Sequence, residues 1–291
     1  MRALLAVDGS ESSYEAVRAV QHFAPLDQLI MVMVIEVPAT HHRTRWPSLD
    51  HLVFMIEQDA REDAQRVLDR AAALLPQDAG PIIRRIEKGK PAERILDIAV
   101  AESVDVIIVG ARGLSRIREL VFGSVSHRIM THAPCSTLVV KAPCSRLEQV
   151  LLCIEGPEDG RRAVAWLAQK PFRVQPRITI LHVVPFAEPP WLEGALVPES
   201  YRKELLAAGD QLVNQVAFDL RAFDYHATLH VMVGSPTDMI VRYAEQAPPD
   251  LTIVGSHGRR GFSRFLMGSV SHDVAHRVPG AVMIVREPNT H

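Results

Sequence analysis

Two stretches of the chain combine residue types that could hold an anion. In the first, Gly110 and Gly113 frame a tight turn that contains Arg112, and Gly123-Ser124 follows after nine residues, with Val125 and Ser126 next. In the second, Gly255, Gly258, Gly268, Ser269, Val270 and Ser271 repeat the arrangement. The first turn follows the short β-branched run Val106–Val109 and leads into a helical pattern that stops at Pro134. A helix that begins this way presents N–H groups with no intrahelical partner and the positive end of its dipole, a combination that attracts phosphate. Glycine adds access, because no Cβ holds a ligand away from the backbone. Arg112, Arg116 and Arg118 bring positive charge to the first loop.

The elements around these loops are repeated as well. An offset of 145 residues (255 − 110) relates Gly89 to Gly234, Pro91 to Pro236, Asp105 to Asp250, and GSVSH at 123–127 to GSVSH at 268–272. The chain is a tandem duplication, with halves expected at 1–142 and 148–288 and APCSRL (142–147) as the linker. At 291 residues it is long enough for two domains of ordinary size, each with its own core.

Each half reads as alternating strands and helices. Strands are expected at Ala3–Val7, Leu29–Val37, Pro81–Glu87 and Val106–Val109, with a last one before Lys141. Helices are expected from Ser10 or Ser12 to about Ala24, over Ser48–Leu75 with Leu52, Met55, Val67, Leu68, Ala71 and Leu74 on its apolar face, and over Ala92–Ser103. The second half repeats the order from Gln149–Ile154 to Leu251–Val254 and its closing loop and helix. Such alternation predicts an α/β fold, an open parallel sheet with helices on both faces. Ligands of such sheets bind beyond the carboxyl ends of the strands, where the chain order reverses, and Asp8 and the Gly110 loop both fall there.

Bulk properties narrow the function. Acids and bases nearly balance, with a formal charge of −2, so nothing points to nucleic acid or an anionic membrane as the main partner. Cys135, Cys144 and Cys153 show no CxxC spacing and read as reduced thiols of a cytoplasmic protein. Met1 leads directly into a strand, which argues against a signal peptide, and no apolar run is long enough to span a bilayer.

With Gly110/Gly113/Gly123/Ser124 and Gly255/Gly258/Gly268/Ser269 both meeting G-x2-G-x9-G-S/T, with Asp8-Gly9-Ser10 ending the first strand and LHVVP at Leu181–Pro185, the chain resembles the universal stress protein family in its tandem form. The resemblance covers nearly the whole chain. It implies two Rossmann-like domains of the adenine nucleotide α-hydrolase-like type, each a five-stranded parallel sheet of order 3-2-1-4-5, packed as a pseudo-dimer through their last strands. It also implies ATP binding, with Mg2+ sharing the phosphate charge. Asp8 would face the nucleoside, Val34 the adenine, and Gly110, Gly113, Gly123, Ser124, Val125 and Ser126 the ribose and phosphates, the two serines adding hydroxyl donors. Glu155 and Val183 hold the corresponding places in the second half. There Glu155-Gly156-Pro157 replaces Asp8-Gly9-Ser10, which ranks the first site above the second. A role in stress response as sensor or scaffold follows from the resemblance alone.

Blander readings stand beside these. Asp8 could simply cap the following helix, and Ser126 and Ser271 could be ordinary first-turn residues. His127 and His272 match each other and suit a surface or an interface better than catalysis. His41, His42 and His51 lack a metal-ligand spacing. Trp46 and Trp191, in corresponding loops, could cover a pocket or an interface. No GxxxxGK[ST] motif and no nucleophile paired with a base is present, so binding is favoured over turnover. A slow ATPase or self-phosphorylating protein, and an interaction module with a vestigial second pocket, are the alternatives. A further homodimer is left open.

Overall fold

The computed structural model describes residues 1–36, 47–113, 122–185, 199–256 and 267–287. The first half runs β1 (Arg2–Ala6), α1 (Glu11–Ala19), β2 (Gln28–Ile35), α2 (Pro47–Ala73), β3 (Ile82–Lys88), α3 (Pro91–Ala101), β4 (Val106–Gly110), α4 (Ser124–His132) and β5 (Ser136–Val140). The second runs β6 (Gln149–Ile154), α5 (Pro157–Leu167), β7 (Arg177–Pro185), α6 (Glu199–Arg221), β8 (Ala227–Gly234), α7 (Pro236–Gln246), β9 (Leu251–Gly255), α8 (Ser269–Arg277) and β10 (Ala281–Val285). The α/β alternation stands as expected.

Two local expectations change. The first helix stops at Ala19, and a 3-10 turn over Val20–His22 replaces its last turn. Its cap is Ser10, whose Oγ accepts from the Ser13 N–H at 3.2 Å. Among the described side chains of α2, Ala64, Leu68 and Ala71 are buried toward the C-terminal end, whereas Met55 is half exposed. A 27-residue helix is far longer than the strand it covers, so the periodic pattern extends past the sheet.

All ten strands form one sheet in the order β3-β2-β1-β4-β5-β10-β9-β6-β7-β8. Each half is parallel with the order 3-2-1-4-5, and β5 meets β10 antiparallel. The register there is Thr137 with Ile284, Leu138 with Met283 and Val139 with Val282. Leu138 and Met283 are equivalent residues of the repeat, so a pseudo-two-fold axis passes through that pair, the relation seen in isologous interfaces. Alternate residues along each strand feed two cores. Ala3 and Leu5 join the layer under α1, α2, α5 and α6, while Leu4 and Ala6 join the layer under α3, α4, α7 and α8.

Equivalent cations cross the junction in both directions. Lys141 Nζ donates to the carbonyls of Ala275 (2.8 Å) and Val278 at the end of α8. Arg286 donates through Nη2 to the Met130 carbonyl (2.5 Å) in the last turn of α4, and through Nη1 to Thr137 Oγ1 (3.3 Å). A helix end has carbonyls without intrahelical partners and a partial negative charge, and here each half supplies the cation for the other. The duplicated aspartates have a structural role too. Asp105 accepts from the Arg2 N–H and Asp250 from those of Glu148 and Gln149, which fixes the start of each central strand.

Candidate functional site

The first-half crevice lies where β1 ends between β2 and β4, the point of reversal in strand order. Gly9, at φ +83°, turns the chain after Asp8. Asp8 Oδ1 accepts from the Ser10 N–H (3.0 Å) and Ser10 Oγ (2.6 Å), so Asp8 orders the residue that caps α1 and is not itself the cap. Its Oδ2 faces the glycine loop, and a Cβ built on Gly113 would stand 2.6 Å from it. Gly110 is required just as directly, because a Cβ there would meet the Ser12 carbonyl at 2.4 Å. The Arg112 N–H donates to Ser12 Oγ at 3.1 Å, which ties the loop to α1.

The base of the loop is closed by Gly123 N–H donating to the Ala111 carbonyl at 2.7 Å. Gly123 is the N-cap of α4 and has no side chain to occupy the first-turn donors of Ser124, Val125 and Ser126. Ser124 is exposed and Val125 half-buried. Ser126 is buried, and its hydroxyl donates to the Gly110 carbonyl at 2.8 Å. That bond pins α4 to β4 and directs the Ser126 hydroxyl inward, as an ordinary first-turn residue, and not toward a phosphate as the family resemblance implies. Val34 lies near the end of β2, half-buried against the core.

In the second half the same loop base is present, with Gly268 N–H donating to the Ser256 carbonyl at 2.8 Å. Gly268 caps α8 without a side-chain bond, Ser269 is exposed, and Val270 and Ser271 are half-buried. Val183 is buried on β7. Gly258 lies outside the described residues, as do Arg116, Arg118, His41, His42, Trp46 and Trp191. His51 is exposed.

Beneath Gly255 the halves differ. Aligning Asp8 with Glu155 sets Asp159 in the place of Ser12, and a Cβ on Gly255 would stand 2.5 Å from Asp159 Oδ1. Asp159 is buried, and this oxygen has no hydrogen bond, although Arg162 Nη1 lies 3.6 Å away. Burial pushes the carboxyl up to about 6, Glu155 adds to the rise, and Arg162 opposes it. At neutral pH the second loop therefore carries a buried negative charge where the first carries a hydroxyl. The aligned strand ends made Asp159 readable in the sequence, but only burial makes it matter.

A third cluster lies at the junction. His127 of α4 meets His272 of α8, Nε2 to Nε2, at 3.1 Å, and His276 stacks against His272 with centroids 4.5 Å apart. Burial holds His276 down to about 4, with the neighbouring His272, His127 and Lys141 acting the same way. The expectation of interface histidines for His127 and His272 is met by this contact. His276 is the residue that the sequence reading overlooked, although His272 and His276 have i, i+4 spacing on one helix.

The universal stress protein family profile matches residues 1–141 and 147–286. The chain belongs to the universal stress protein family, in a tandem arrangement. A universal stress protein of Mycolicibacterium smegmatis is 28% identical over 97% of this chain and 96% of its own length. One from Mycobacterium tuberculosis strain H37Rv is 25% identical over 99% and 97%. Among solved structures, a universal stress protein from Archaeoglobus fulgidus DSM 4304 superposes with a TM-score of 0.66 at 18% identity, covering 100% of this chain and 97% of that one, a likeness of fold.

Proposed function

We propose that the chain binds ATP, or a related adenine nucleotide, in the crevice of the first half, and that it acts by binding, as a sensor or scaffold in stress response in the cytoplasm. The observation that carries this reading is the uncapped start of α4 at Gly123, set beside Gly110 and Gly113 and facing Asp8. Backbone donors at a helix start need no reorganisation to meet phosphate oxygens. In this reading the phosphates lie over Gly110, Arg112, Gly113 and Gly123 to Ser126, the nucleoside lies by Asp8, and the adenine by Val34. Mg2+ enters with the nucleotide, where its charge offsets that of the phosphates.

The second site, at Glu155, Val183, Gly255, Gly258 and Gly268 to Ser271, is proposed to bind nucleotide more weakly. Asp159 supports this, since a carboxylate buried beneath the loop disfavours a phosphate above it, an effect that the Arg162 guanidinium 3.6 Å away reduces. The halves 1–142 and 148–288 are proposed as two domains of an intramolecular pseudo-dimer.

Isothermal titration with ATP and Mg2+ tests the reading. One tight site per chain is expected, and it is lost in Gly123→Val, whose extended backbone suits a β-branched residue and whose added bulk enters the cradle, with only the weaker second site remaining. Absence of heat with the wild type, or undiminished binding in Gly123→Val together with Asp8→Ala, would overturn it.

A further inference from the structure

We propose that His127, His272 and His276 form a binding site for a divalent transition metal, with Zn2+ as the representative ion, which fastens the two halves together. One ring nitrogen from each histidine lies within 4.8 Å of the others. Zn–N bonds of about 2.0–2.1 Å in a tetrahedral site set the nitrogens roughly 3.3 Å apart. The His127–His272 pair, at 3.1 Å, already has that spacing, and the third nitrogen, from His276, lies within 4.8 Å of both.

Three further features point to a ligand. His276 Nε2 is buried with no hydrogen-bond partner, a donor atom left without an occupant. His272 and His276 are one turn apart on α8, so they present their rings on one helix face. Asp273 Oδ1 lies 3.3 Å from His272 Nδ1, a contact that favours a proton on Nδ1 and a lone pair on the Nε2 that meets His127, as carboxylates behind metal-bound imidazoles do. Lys141, the nearby cation, is tied to the Ala275 and Val278 carbonyls.

The site belongs to the junction and to neither glycine loop. The first half has Thr131 where the second has His276, so the duplication yields one three-histidine site and not two. Its ligands come from both halves, and three nitrogens leave a fourth position for water, as in open zinc sites.

The experiment uses the full chain, untagged and freed of metal with a chelator, titrated with Zn2+ in competition with a chromophoric chelator and without nucleotide. We expect one tight equivalent of Zn2+ and a rise in melting temperature. Affinity should fall at least a hundredfold in His276→Thr and in His272→Ala, because loss of a ligand exceeds the 10–100-fold effect of a second-shell change. Unchanged Zn2+ affinity in the triple variant His127→Ala, His272→Ala, His276→Ala would overturn the proposal. Where a variant folds poorly, the wild type loaded with Co2+ decides: an intense visible spectrum of tetrahedral type supports the site, and a weak octahedral one overturns it.

Discussion

Asp159 Oδ1 lies 2.5 Å from the point where a Cβ on Gly255 would stand, so the glycine and the buried carboxylate require each other. The equivalent contact in the first half is between Gly110 and the Ser12 carbonyl. The loop base therefore has Ser12 beneath it in the first half and a carboxylate in the second.

That charge makes stability depend on pH. The folded chain holds the Asp159 proton more tightly than the unfolded chain, at about 6 against 3.8. Its stabilising contribution is full below pH 4 and is lost as pH rises through 6. A difference of about two pK units corresponds to about 3 kcal/mol. Asp159→Ser should therefore raise stability at pH 7 by about 1–3 kcal/mol and flatten the slope between pH 4 and 6. Urea unfolding at both ends of that window checks this, and parallel pH profiles for variant and wild type would count against it.

Asp8 offers a second test. Its Oδ1 accepts two hydrogen bonds from Ser10, and bonds to a charged group are worth about 1.5–3 kcal/mol. Asp8→Ala should lower stability by about 1–3 kcal/mol, while Asp8→Asn, which keeps an acceptor, should lose less than half of that. Thermal melts with calorimetric enthalpies would show the difference; equal losses would mean that the Ser10 bonds contribute little.

Coupling between the halves should weaken in Arg286→Met. Burial brings the Arg286 guanidinium down to about 10, yet it bonds Met130, Thr131 and Thr137 across the junction. Methionine fills the space but leaves the α4 carbonyls unpaired, at a cost of about 1–3 kcal/mol. A lower midpoint with a reduced m-value in guanidinium, the sign of halves unfolding separately, is the expected result. An unchanged curve would show that the β5–β10 ladder alone carries the junction.

The thiols should be inert. Burial pushes Cys135 up to about 12, Cys144 up to about 11, and Cys153 higher still. Thiolate is the reactive form, so iodoacetamide at pH 8 should label none of the three in the folded chain and all of them in urea. Cys144, half-buried in the linker, is the sensitive case, and its fast labelling under native conditions would show that desolvation does not hold its thiol protonated.

Much of this molecule was legible in one dimension. The strands, the helices and the two loop bases follow from apolar periodicity, from glycine and proline punctuation and from the offset of 145 residues, all of which act over short stretches of chain. The closeness of the glycine loop to Asp8 was readable for the same reason, since Gly110 closes β4, Asp8 follows β1 and Gly123 opens α4. The periodic signal misled in two places: a 3-10 turn with buried Val20 replaces the last turn of the first helix, and Met55 near the start of α2 is half exposed because that helix outruns the strand it covers.

What only the tertiary structure decided depends on contacts between distant residues. The inward turn of the Ser126 hydroxyl, the burial of Asp159 under Gly255, the exchange of Lys141 and Arg286 between helix ends and the meeting of His127 with His272 and His276 all join residues from separate elements. Local propensity is blind to them, because desolvation and pairing exist only once the elements of each half have packed and, for the cations and histidines, once β5 has met β10.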